Sequence, residues 1–229
     1  MKLYELAYGC RICRDIAGYD RAYTEMRNDL GPAPNLAPHE QRDALMKFLN
    51  KWGCRIAEKN FPSLKEGLKE WAACWIQKLP ATGQDIRCFT DEQRAQVGDS
   101  YSALSTLGPR FRDTAAAKTL HALRPETLPM WDAKIKDLFI KSCSAWKGQP
   151  AKPTPGQIYS EFLRQVGDEI SELEQDVKRL KYSLSDVPKL VRREGGSLVK
   201  LVDEYYWTGM PRGHAAPTRD ELERWLAWI

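Results

Sequence analysis

Several absences narrow this chain before anything present does. Its 229 residues contain no run of about eighteen apolar residues, the length a membrane-spanning helix requires. Met1-Lys2-Leu3-Tyr4-Glu5 leads into an apolar stretch interrupted by charges, unlike a secretory signal, so a cytoplasmic protein without a membrane partner is expected. Histidine is scarce, and His39, His121 and His214 lie far apart. The six cysteines are scattered over Cys10, Cys13, Cys54, Cys74, Cys88 and Cys143, with Cys10-Arg11-Ile12-Cys13 as the one CxxC pair. A zinc site needs a second pair or histidines at ligand spacing, so no metal is expected and reduced thiols packed along a helix are the simpler reading of Cys10 and Cys13; a redox or zinc pair is the alternative. Strand-like alternation, internal repeats and low-complexity tracts are missing too, which leaves an all-α fold. Nor is there a large excess of one charge: +4 at pH 7 and a pI near 8.7 permit a nucleic-acid partner without demanding one.

What is present is the composition of an ordinary globular protein, 42% hydrophobic and 29% charged, long enough for one substantial helical domain or two small ones. Apolar residues at three- and four-residue steps predict helices over 3–27, 39–59 and 64–79. Thr90-Asp91-Glu92-Gln93 is a capping-box pattern for a helix ending before Gly108. Residues 148–156 hold three prolines and read as a linker. Beyond it Phe162, Val166, Ile170, Leu173, Val177 and Leu180 form a near-heptad seam on a long helix, whose acidic stretch 168–176 reads as a solvated face. Residues 192–196 read as a basic kink, 198–207 as a further apolar pattern, 209–218 as a glycine- and proline-rich tail and 219–229 as a terminal helix. The expected organisation is a hairpin-bearing helical region, 1–147, and a C-terminal helical region, 148–229, packed as one compact unit.

Residues 107–136, LGPRFRDTAAAKTLHALRPETLPMWDAKIK, carry the most specific pattern. Leu107-Gly108-Pro109 makes a turn bearing arginines, and Asp113 or Thr114 is placed to cap a helix with Ala116, Leu120 and Leu123 on one face. Arg124-Pro125 ends that helix, and Pro129 stiffens the approach to Asp132, at the N-cap position of the next. This order of turn, helix, proline loop and aspartate resembles the helix-hairpin-helix DNA glycosylase superfamily. The resemblance implies a multi-helix fold of that kind, with Gly108 in a hairpin that grips a DNA phosphate and Asp132 as the catalytic aspartate. The usual hairpin has a second glycine, where this chain has Pro109-Arg110-Phe111. No lysine stands in the hairpin and Lys118 lies about a turn later, so the resemblance implies a monofunctional enzyme that uses water. The iron-sulfur members carry four closely spaced cysteines near the C-terminus; this chain has none after Cys143, and no cofactor is implied.

Cleaving an N-glycosidic bond builds positive charge on the sugar, and a carboxylate held near the anomeric carbon or the attacking water offsets it. The base, damaged or naturally modified as in phage DNA, must leave the stack of a double-stranded partner for an aromatic pocket. Trp131, Tyr101 and Trp207 are the candidates for that pocket, with Tyr205 and Tyr206 as further aromatics; Gly108, Arg110, Arg112 and Lys118 are the candidates for DNA contacts. Each residue also has a plainer reading: Asp132 as an ordinary helix cap, Trp131 as core, Arg110, Arg112 and Lys118 as solvated side chains, His121 as a structural histidine. A non-catalytic helical protein that binds DNA or a protein partner is the competing function. Neither the oligomeric state nor the substrate base is legible.

Overall fold

The structure, a computed structural model, describes residues 1–18, 20–146 and 152–212. Among them it is all-helical, with ten α-helices and no strand. The terminal helix expected over 219–229 and residues 148–151 of the expected linker lie outside the described residues, and 155–156 of that linker already belong to a helix. Buried apolar side chains form one cluster from Met1 to Tyr206, drawing on both sides of the 147/148 boundary.

The helix expected over 3–27 is two, α1 (Leu3–Ala17) and α2 (Asp20–Leu30), because Gly18 takes a left-handed φ of 62° and ends α1. α3 (His39–Lys51) likewise stops short of residue 59, turning at Gly53 with φ 82°. α4 (Phe61–Trp75) is followed by α5 (Asp91–Ser105), capped as its box predicts: Thr90 Oγ1 accepts from Gln93 N–H at 3.2 Å and Gln93 answers on Thr90 N–H at 3.0 Å. In α6 (Asp113–Leu123) the N-cap position falls on Arg112, whose side chain makes no capping bond, and not on Asp113 or Thr114, so Asp113 is the first helical residue. α7 (Ala133–Ser142) ends earlier than its apolar pattern, with a single 3-10 turn at Ser144–Trp146. α8 (Pro155–Arg179) is the long amphipathic helix, and α9 (Val187–Leu190) leads to α10 (Leu198–Arg212), which continues through residues 209–212 where a loop is expected.

Two helix pairs frame the molecule. α1 packs along α10 with Gly9 against the Tyr205 backbone, and Thr208 Oγ1 donates to Gly9 O at 2.9 Å. α5 and α8 meet at Gly98 and Gly156, so close that a methyl on either residue would lie 2.5 Å from the other's carbonyl oxygen. That approach stacks Tyr101 of α5 on Tyr159 of α8, centroids 4.4 Å apart and planes 6° from parallel. The seam of α8 is buried from Phe162 to Val177, whereas Leu180 caps the helix and is 52% exposed. Nor is the acidic stretch only solvated: Asp176 accepts from Leu3 N–H at 2.9 Å and Glu174 pairs with Arg87 at 2.9 Å.

Candidate active site

The turn before α6 is closed by Phe111 N–H donating to Gly108 O at 3.1 Å, with Pro109 at its second position and Arg110 at its third. Arg110 has φ 69°, the left-handed conformation that a turn with proline second usually gives to glycine. The absent second glycine is therefore replaced by a strained arginine, at a cost of about 1 kcal/mol. Phe111 anchors the turn in the core, and Gly108 lies against Leu64 of α4, where a Cβ would come within 3.1 Å. Arg110 and Arg112 are exposed, with no ion pair or side-chain hydrogen bond among the described residues.

α6 is enclosed on every side from Ala115 to Leu123, which accounts for its alanines: small side chains let neighbours approach all round. Its buried polar residues hold the loop that follows. His121 Nδ1 lies 2.7 Å from Leu128 O, which can only accept, so Nδ1 carries the proton and Nε2 accepts from Tyr23 Oη at 2.9 Å. Burial depresses the His121 pKa to about 3, keeping the ring neutral in this role. Tyr159 Oη donates to the next carbonyl, Pro129 O, at 2.6 Å, and Trp131 Nε1 donates to Tyr101 Oη at 3.3 Å. Three anchors, at Leu128, Pro129 and Trp131, thus fix the approach to Asp132. Asp132 Oδ1 caps α7 by accepting from Ile135 N–H at 2.8 Å, and Oδ2 has no hydrogen-bond partner among the described residues.

Asp132 forms part of the wall of a cavity of about 380 Å³. Trp131 lies beside it, Lys118 and Thr114 come from α6, Trp52 from the end of α3, Cys13 from α1, and Lys200, Asp203 and Trp207 from α10. The Lys118 ammonium donates to the Trp52 carbonyl, and its Nζ is 5.6 Å from the Trp52 ring centroid; Lys200 Nζ approaches the same ring to 5.5 Å. Behind the wall Arg193 pairs with Asp20 at 2.6 Å and Glu204 at 2.5 Å, and Lys200 pairs with Glu204 at 3.0 Å and Asp203 at 3.3 Å. Burial works against the Lys200 ammonium, but Glu204 and Asp203 outweigh it and raise its pKa. Burial pushes the Asp203 carboxyl up to about 6, Lys200 opposing and Glu204 adding to the shift. It also raises Cys13 to about 12 and Cys10 well above its ordinary value, so both are protonated thiols.

The structure therefore brings Asp132, Trp131, Lys118 and Trp207 to one cavity. Lys118 is a buried cavity residue and not a solvated side chain, because the enclosed α6 turns it inward. Tyr101 does not line the cavity; fully buried, it backs Trp131 edge-on at 5.9 Å. Gly108, Arg110 and Arg112 lie outside the cavity, on the turn that leads into α6. Lys200 and Asp203 escaped the sequence reading, although Lys200, Asp203 and Glu204 at spacings of three and four between Leu198, Val199, Leu201 and Val202 carry a signal: charges at helical spacing within an apolar run pair internally. Trp52 carried no such signal. The chain matches no known protein family, no curated protein and no solved structure.

Proposed function

We propose that this protein hydrolyses the N-glycosidic bond of a base turned out of double-stranded DNA, with water as the nucleophile and Asp132 as the essential carboxylate. One observation carries the reading: a carboxylate fixed through three anchored residues, with one oxygen free of hydrogen bonds among the described residues, belongs to the wall of a cavity shared with Trp131, Trp207 and Trp52. At about 380 Å³ the cavity is at the small end for ligand sites, a scale that suits a single nucleobase. Indole faces suit a flat aromatic ring, and a held carboxylate stabilises charge developing on the sugar without reorganising. The exposed, strained turn with Arg110 and Arg112 supports contact with phosphates.

The test is base release from duplexes carrying damaged or modified bases, comparing wild type with Asp132→Asn. Asparagine caps a helix as well as aspartate does, so the variant keeps the fold and loses the charge. Release is expected to fall by about 100-fold or more. Full release by a folded variant refutes the reading, and no release from any duplex, with steeply salt-dependent DNA binding, transfers the function to binding alone.

A second reading rests on Lys118, whose amine shares the cavity with Asp132. Attack of that amine, in its neutral form, at C1′ would expel the base with the C1′–N electron pair, and opening of the C1′–O4′ bond would turn the adduct into a Schiff base that borohydride traps as a covalent protein–DNA adduct; an adduct lost in Lys118→Gln replaces water with the amine as nucleophile.

A further inference from the structure

Beyond Asp132, two further carboxyl groups that the reaction above leaves unused line the cavity, Asp20 from the start of α2 and Asp203 from α10. Both oxygens of Asp20 are taken by Arg193, which leaves Asp203 to be compared with Asp132. Their surroundings differ. Asp132 is partly exposed and its Oδ1 accepts a backbone N–H, while the Asp203 side chain is nine-tenths buried. Around Asp203 the ion-paired cluster contains three carboxyl groups, Asp20, Asp203 and Glu204, and two cations, Arg193 and Lys200. Glu204 takes both cations at 2.5 and 3.0 Å, and Arg193 also holds Asp20, leaving Asp203 among the described residues a single ion pair at 3.3 Å to an ammonium already shared. Lys118 of α6 also faces Asp203 and favours its charged form, and the Cys13 thiol of α1 lines the same wall. Burial and the charge of Glu204 prevail, and Asp203 titrates at about 6. Asp203 is the least closely paired carboxyl of the cluster, and near pH 6 it is the one that can offer a proton to the cavity.

We infer that Asp203 is a second catalytic residue, a carboxylic acid that protonates the departing base while Asp132 assists the attacking water. This rests on the glycosidic reading above. As the C1′–N bond breaks, its electron pair stays with the base, and the Asp203 proton passes to a ring nitrogen or carbonyl oxygen of that base, which leaves neutral. Water adds its oxygen to C1′ and gives a proton to the Asp132 carboxylate, and exchange with solvent restores both groups. The substrate class follows: a neutral base with a protonatable acceptor, which leaves poorly without a proton. A cationic N7-alkylated purine needs none and gains nothing from Asp203.

The test combines rate and titration. Wild-type release of a neutral base should fall tenfold for each pH unit above about 6. Asp203→Asn, of the same shape, should slow that release by about 100-fold and flatten the falling limb, while any release of 7-methylguanine stays within about twofold. Carbon NMR of labelled aspartates in the wild-type protein should show one carboxyl titrating near 6 that is missing from the variant. If Asp203→Asn fails to fold, the wild-type pH–rate profile and titration decide. Asp132-dependent release that is unchanged in rate and pH profile by Asp203→Asn overturns this inference alone, as does a set of aspartates all titrating below pH 5. Release from no duplex, or release indifferent to Asp132→Asn, overturns the glycosidic reading and this inference with it.

Discussion

Replacing Gly98 with alanine should destabilise the protein, although alanine is the better helix former. In an unhindered helix the exchange gains about 1 kcal/mol. At Gly98 the new methyl would lie 2.5 Å from the Gly156 carbonyl oxygen and closer still to Ser160 Oγ. The serine cannot rotate away freely, because its hydroxyl donates to Arg94 O at 2.8 Å, a bond worth about 1 kcal/mol. The carbonyl belongs to the α8 backbone and cannot rotate at all, so the helices must part by about 1 Å, and overpacking of this kind costs about 1–3 kcal/mol. The net expectation is a loss of about 1–2 kcal/mol. Gly167, on the same helix as Gly156, is the internal control: its added methyl meets nothing nearer than 3.6 Å, so Gly167→Ala should gain about 0.5–1 kcal/mol. Urea unfolding at constant m reads both as opposite shifts of the midpoint. Since α5 and α8 hold Tyr101 and Tyr159 behind Trp131, Gly98→Ala should also slow base release more than its stability loss explains. A Gly98→Ala protein as stable as wild type refutes the close approach of these helices and the argument built on it.

Protonation of His121 is opposed in the fold and free in the unfolded chain, so stability is complete above pH 6.5 and is lost as pH falls from 6.5 toward 3. The loss is about 2 kcal/mol by pH 5, and a folded His121→Gln variant should lack this slope in unfolding measured across pH. Arg110→Gly should raise thermal stability by about 1 kcal/mol by relieving the left-handed strain, and lower the salt slope of DNA binding by about one phosphate contact. A salt slope unchanged in that variant would remove Arg110 from the DNA contact.

Local chemistry placed the elements of this chain. The capping box at Thr90, the cap at Asp132, the apolar steps of α8 and the want of strand alternation all act within a few residues, and they are legible for that reason. Helix ends were less so: Gly18 and Gly53 adopt left-handed backbone and stop helices whose apolar spacing runs on. Tertiary structure alone decided which side chains share the cavity. Lys118 reads as exposed until α6 is seen enclosed, and Tyr101 reads as a wall until Tyr159 stacks against it from α8. Asp203 gains its altered acidity from burial and from Glu204, Lys200 and Lys118, drawn together from two helices. Hydrogen bonds and caps are short-ranged along the chain, whereas desolvation and charge sharing depend on which segments meet, and that is settled only when the whole core closes.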